Sequence, residues 1–331
     1  MSQTNLRGIS MQRHARLIKA TIFAILLTLV AAIANAQEPG QKTFATAQDA
    51  GKALYEAVKS GDKPAMEAVL GQSSTSIISS GDEVQDKNNF EFFTTRYEQM
   101  NRWAKETNGN QILYIGAENW PFPIPLKDNA GQWYFNTKAG LQEILFRRIG
   151  KNELAAIRVC SVLADAQQDY FDGTHDGDTV HQYAQKFTSD EGKQNGLYWK
   201  VAEGQPESPV GPLVAYATGE GYGGKHDTPQ PFHGYYYHIL TGQGATAQGG
   251  AKSYIVDGKM TGGFAFVAYP AEYRNSGVMT FLVDATGVVY QKDLGPKTAD
   301  IASAMKTYSP DKTWVVAYSD DEEDTADSTD Q

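Results

Sequence analysis

The sequence predicts an α+β protein, and three observations predict it. Apolar residues at 50, 53, 54, 57 and 58 recur at helical spacing. From residue 234 onward the chain reads as short apolar runs separated by turn residues, the signature of an antiparallel sheet. Helices precede strands in each half and do not alternate with them, which argues against a parallel α/β sheet. A length of 331 residues suits two domains. We expect an N-terminal α+β domain over 43–137 and a helix with an antiparallel sheet over 138–318, the latter carrying long loops at 171–232.

In chain order, residues 1–36 read as a secretory signal peptide. Arg7, Arg13, Arg16 and Lys19 form a basic leader without acids. An apolar run from Ala20 to Ile33 follows, too short for a bilayer that needs ~20 residues. Ala34-Asn35-Ala36 has the small-x-small pattern of a cleavage site, so cleavage is expected between Ala36 and Gln37. No cysteine follows that point to accept a lipid, and no membrane span is expected after removal of the signal. The expected location is periplasmic or secreted.

Thr46 is placed to cap the first helix, and Ser60-Gly61 to stop it. Asp62 caps a second helix with Pro64 in its first turn, which ends at Gly71. A polar loop is expected over 73–82, then a third helix near Asn88–Lys105. Trp120-Pro-Phe-Pro-Ile-Pro-Leu126 carries prolines at alternate positions, which predicts an edge strand with Phe122, Ile124 and Leu126 inward. Asp128–Gly131 turns the chain into a returning strand.

Residues 141–170 read as helical, with a break at Gly150. Ala156, Ile157, Cys160, Leu163 and Ala164 form a core stripe, so Cys160 reads as a buried apolar residue rather than a nucleophile. The glycine-, proline- and aspartate-rich stretch 171–232 predicts irregular loops. Strands are expected at 234–240, 253–256, 263–269, 278–283, 288–291 and 314–318, with Thr286-Gly287 as a hairpin turn. Residues 319–331 carry seven acids and no base, which predicts a solvated, disordered tail.

Composition narrows the function. Lys and Arg number 29 against 39 Asp and Glu, so no basic surplus exists to neutralise phosphates, and nucleic-acid partners are excluded. One cysteine permits neither an intrachain disulfide nor a cysteine-based zinc site. No G-x-x-x-x-G-K-[ST] or G-x-S-x-G motif occurs, and no catalytic residue or cofactor is predicted. Ser208 reads as part of a turn. His175, His181, His226, His233 and His238 are equally eligible as acid–base groups, so spacing selects none of them. Asp172, Asp176 and Asp178 offer three carboxylates among glycines, a calcium candidate weaker than its alternative as a polar turn.

Aromatic residues give the better signal. Trp120, Trp199, Tyr222, His233, Tyr235 and Tyr236 lie near predicted loops or strand ends and are the candidate binding residues. The competing reading places them in ordinary core and sheet faces.

Longer motifs then carry resemblances. WPFPIPL (120–126), RRIGKNELAAI (147–157), HGYYYHIL (233–240), GGFAFVAYPAEY (262–273) and VVYQKDLG (288–295) resemble the bacterial envelope family known as domain of unknown function 2950. Three helices followed by a hairpin-rich sheet resemble the nuclear transport factor two-like cone. The NEL-x-AI helix followed by GYYY strands is similar to pilin-like globular folds. An internal helix and an ordinary leader depart from polymerising pilins. These resemblances imply an envelope protein that binds or assembles with an envelope protein or cell-wall component. The rival is an envelope hydrolase with a site built from loops 172–232.

Overall fold

The computed structural model describes residues 37–202, 204–222 and 229–317. The predicted signal peptide through Ala36, the acidic tail and His226 lie outside the described residues. The fold is α+β, with helices and antiparallel sheets in two compact units. Within the described residues the first unit comprises 37–78 and 90–143, and the second 79–89 and 144–317.

In the first unit, helix α1 (Ala47–Ser60) begins where the Thr46 hydroxyl accepts the Asp49 N–H at 3.1 Å. It ends at Gly61, whose φ of 68° is the left-handed stop that glycine adopts without strain. Helix α2 (Lys63–Leu70) is capped by Asp62, which accepts the Ala65 N–H at 3.0 Å. A 3₁₀ turn at Gln72–Ser74 and helix α3 (Thr75–Ile78) occupy part of the expected loop. Thr75 drives that turn by returning its hydroxyl to the Gln72 carbonyl.

Helix α4 is Glu83–Gln99, and its residues from Phe90 onward belong to this unit. The expected helix over 88–105 therefore stops short. Strand β1 (Asn101–Lys105) pairs antiparallel with β2 (Gln111–Ile115) across the Asn108-Gly109 turn. The pairing sets Trp103 opposite Leu113, a cross-strand gain that a longer helix would forgo.

The proline stretch is not one edge strand. Strand β3 (Trp120–Pro121) pairs with β2, the chain breaks over 122–125, and β4 (Leu126–Asn129) then pairs with β2 and with β5 (Gln132–Phe135). Pro123 and Pro125 fall in the break, where no ladder donor is needed. Ile124 and Leu126 are fully buried, while Phe122 is half-buried and packs between Phe93 (5.5 Å) and Phe135 (6.1 Å).

In the second unit, helix α5 (Thr137–Asp172) contributes its residues from Ile144 and passes Gly150 unbroken. Its stripe Ala156, Ile157, Cys160, Leu163 and Ala164 is buried as expected. Helix α6 (Gly211–Gly219) lies in the stretch expected to be irregular, with Pro212 in its first turn.

The main sheet is antiparallel, ordered β15 (Val315–Val316), β13 (Tyr290–Asp293), β12 (Met279–Asp284), β11 (Ala265–Pro270), β6 (Tyr235–Leu240). Strands β7 (Gly242–Gln243), β8 (Lys252–Ser253) and β14 (Thr307–Tyr308) make a small second sheet. Strands β9 (Ile255–Val256) and β10 (Lys259–Met260) form a hairpin, so the expected strand at 253–256 is divided. The short helix α7 (Thr298–Ser303) follows β13. Phe266, Val267, Ala268, Phe281 and Val283 are fully buried and share one core with Cys160, Leu163 and Tyr235.

Candidate functional site

Within the second unit, a polar cluster forms where the chain turns into β6. Asp82 is 1% exposed and precedes α4, whose Gln85 N–H it accepts at 3.0 Å, the usual task of an N-cap carboxylate. Its other oxygen accepts the Tyr222 hydroxyl at 2.7 Å and the Gly234 N–H at 2.9 Å. One buried carboxylate thus ties together three segments distant in sequence.

His233, between those partners, has a φ of 49°. A left-handed backbone in a residue with a Cβ costs ~1–2 kcal/mol. Two hydrogen bonds hold the turn there: His233 N–H to the Tyr222 hydroxyl at 3.3 Å, and Gly234 N–H to Asp82. Glycine is needed at 234, where φ is 72° and a Cβ would stand 2.5 Å from Asn152 Nδ2.

The His233 ring is directed outward onto Glu220, with Nε2 at 3.3 Å from a carboxylate oxygen. The second Glu220 oxygen accepts the hydroxyl of Tyr216, one helical turn earlier and 54% exposed. Burial lowers the His233 pKa from its ordinary 6.5; Glu220 and Asp82 oppose that effect, and Lys151 and Arg158 of α5 add to it. The neutral imidazole is therefore favoured. A neutral imidazole presents one ring nitrogen as a donor and the other as an acceptor. Burial, followed by the Asp82 charge, pushes the Tyr222 hydroxyl far above its usual range, so it acts as a donor and not as a base. The arrangement can accept and donate hydrogen bonds at a half-exposed surface bordered by the Tyr216 and Tyr222 rings.

A family model described as Protein of unknown function (DUF2950) matches residues 41–317. The chain belongs to the DUF2950 family. No curated protein and no solved structure was matched.

Of the six binding residues the DUF2950 sequence suggested, the fold joins only Tyr222 and His233, whose rings lie 5.7 Å apart. Trp120 is half-buried in the first unit, edge-on to Phe92 at 5.7 Å. Trp199 lies beside Tyr170 and His175, at 6.3 and 5.5 Å. Tyr236 is half-buried and faces Tyr269 across the β6–β11 ladder. Tyr235 is a correction: it is fully buried, with its hydroxyl given to the Met279 carbonyl. In the run 235–237 alternate side chains take opposite faces of the sheet, and Tyr235 takes the core face.

The three aspartates of the calcium candidate are not gathered either. Asp178 is bound by Lys259 Nζ at 2.6 and 2.7 Å, Asp176 accepts the Gln194 N–H, and Asp172 accepts from Gln168. Among the described residues no group of three His, Cys, Asp or Glu side chains could hold a metal ion.

The remaining described histidines are held by main-chain carbonyls: His175 by Tyr170, His181 by Phe171 and His238 by Met305. Cys160 is fully buried, and burial pushes its thiol up to about 12. Ser208 is 2% exposed, and its hydroxyl has no hydrogen-bond partner among the described residues.

Sequence reasoning missed Asp82, Tyr216 and Glu220. All three carried a signal: Asp82-x-x-Gln85 has capping-box spacing, and Tyr216 and Glu220 stand four apart, one helical turn.

Proposed function

We propose that this DUF2950 protein is exported and serves as a binding or assembly module of the cell envelope, its contact face centred on Tyr216, Glu220, Tyr222 and His233. The observation that carries this reading is the strained His233, whose turn is fixed by buried Asp82 and whose largely buried ring sits against the partly exposed Glu220, beside the exposed Tyr216. Strain held in place by a buried carboxylate is an investment that folding alone does not require. Export rests on the basic, apolar and small-x-small segments of residues 1–36. The partner is an envelope protein or a cell-wall component. Among the described residues no helix is long and apolar enough to cross a membrane.

The test is photo-crosslinking in the producing cell, from a reactive group placed at Tyr216. The expected result is reproducible capture of one envelope protein or of peptidoglycan fragments, lost when His233→Ala is added. Absence of capture above that of a group placed at exposed Val256, away from the cluster, would sink the proposal.

One observation favours a second reading. Glu220 and His233 form a carboxylate–imidazole pair of the kind that orients a general base. An envelope hydrolase using that pair would cleave a peptidoglycan or ester substrate and lose the activity in His233→Ala. Purified protein that binds without turnover decides for the module.

A further inference from the structure

Asn-Gly occurs twice in the sequence, at Asn108-Gly109 and Asn195-Gly196. This dipeptide has a covalent chemistry of its own, because glycine leaves the following main-chain nitrogen accessible to the asparagine side chain. The two copies differ in exposure and in the room around the glycine.

Asn108 is exposed at the tip of the β1–β2 hairpin. Gly109 has a φ of 90°, and a Cβ built on it would meet nothing within 4 Å. The Asn108 Oδ1 accepts the Asn110 N–H at 2.9 Å, and its Nδ2 donates to Glu106 at 3.1 Å. The first contact matters chemically. An N–H directed at Oδ1 polarises the side-chain carbonyl and stabilises the negative charge that develops there when a nucleophile adds to Cγ.

The Asn195 side chain is bonded in the same pattern, its Oδ1 accepting the Asp190 N–H at 3.0 Å and its Nδ2 donating to Asp190 Oδ2 at 2.8 Å, so these contacts do not separate the two copies. The nitrogen that would have to attack is engaged in both copies, that of Gly196 donating to Ser189 Oγ at 3.0 Å and that of Gly109 to the Glu106 carbonyl at 3.0 Å, so the room around each glycine makes the difference. Gly196 is buried, and a Cβ there would stand 2.8 Å from the Ser189 nitrogen and the Thr188 carbonyl carbon, so the backbone has no room to turn.

We propose that Asn108 is a site of spontaneous covalent modification, while Asn195, in the same Asn-Gly dipeptide, is protected by the crowded, buried backbone at Gly196. The Gly109 nitrogen loses its proton to hydroxide and bonds to Asn108 Cγ. The Cγ–Nδ2 bond breaks, and ammonia leaves with a proton from water. The resulting five-membered imide adds one water at either carbonyl, giving aspartate or isoaspartate. The net change is asparagine plus water to aspartate plus ammonia, with no oxidant or reductant. Each event sets a new negative charge beside Glu106, and the isoaspartyl form adds a methylene to the main chain at the hairpin tip.

Purified protein, incubated near neutral and at mildly alkaline pH, is sampled over time and peptide-mapped by mass spectrometry. In the native state the Asn108 peptide converts at least roughly tenfold faster than the Asn195 peptide, the factor that corresponds to about 1.4 kcal/mol of added barrier. In concentrated urea the two rates converge to within about threefold, about 0.65 kcal/mol by the same relation, because the shared Asn-Gly dipeptide then sets the rate more than the different flanking residues do. Equal native rates, or a faster Asn195, overturn the proposal. Persistent protection of Asn195 in urea overturns it too, since sequence and not structure would then be responsible.

Discussion

Replacing Asp82 by alanine tests how the cluster is held. Three donors converge on this carboxylate: Gln85 N–H at 3.0 Å, the Tyr222 hydroxyl at 2.7 Å and Gly234 N–H at 2.9 Å. Loss of an N-cap costs ~1 kcal/mol. An orphaned buried donor costs ~1–3 kcal/mol, and Gly234 is buried whereas Tyr222 is half-buried and can turn to water. The expected loss is about 2–4 kcal/mol for local opening of the turn, the sum of the cap and the orphaned Gly234 donor. Native-state hydrogen exchange read on the β6 amides reports that opening directly. Exchange there should quicken between roughly thirtyfold and a thousandfold. Asp82→Asn keeps an acceptor and the cap, and should lose about half as much free energy. In a double-mutant cycle with Tyr222→Phe the coupling should be about 1.5–3 kcal/mol, the range for a hydrogen bond to a charged group. A change below roughly tenfold in Asp82→Ala, or zero coupling, refutes the account of Asp82 as the organiser of the turn.

Other outcomes follow from single contacts. The His233 pKa is lowered below 6.5, so the unfolded state binds more protons as pH falls through that value. Its contribution is present above pH 6.5 and is lost as pH falls through the lowered folded value. Stability against pH should rise through that window with a slope of up to ~1.4 kcal/mol per unit, and His233→Gln should remove that part of the slope. A Cβ at Gly277 would lie 2.6 Å from Tyr235 Cζ, so Gly277→Ala should destabilise the second unit by about 2–4 kcal/mol in urea melts. Gln167 is fully buried and both donates to the Ala184 carbonyl and accepts its N–H; Gln167→Ala should make the segment 172–200 several-fold more sensitive to limited proteolysis. Chelator and added calcium should leave the melting temperature unchanged, because Lys259 already occupies Asp178, whereas Lys259→Ala should lower it.

Legibility followed the range of the forces involved. Local signals read well: Thr46, Asp62 and Gly61 mark helix ends by contacts within one turn, and the stripe from Ala156 to Ala164 declares its buried face by spacing alone. Non-local pairings read poorly. Nothing near Asn101–Lys105 announces that Leu113 will draw Trp103 out of a helix. The alternate prolines forbid ladder donors but do not say whether the chain then pairs or breaks. The site divided the same way. Tyr222 and His233 stood out as aromatic residues near a strand end, whereas Asp82, 140 residues before Tyr222, meets it only through the fold. Tyr235 and Tyr236 are adjacent and alike in sequence, and only the pleat separates the core face from the half-open one.

The outer strand β15 has a colloidal consequence. It is two residues long, Val315 and Val316 are 57% and 44% exposed, and Val288 beside it is 37% exposed. A β-branched rim of that kind is a template for strand addition by another copy. Directly after it the sequence places seven acids within 319–331. Two copies meeting rim to rim would bring both runs of charge together, and at low ionic strength that repulsion acts over ~10 Å or more. The expected effect of the acids at 319–331 is to disfavour such association. Chains clipped before residue 319, or held in high salt, should scatter more light on storage than intact chains at the same concentration.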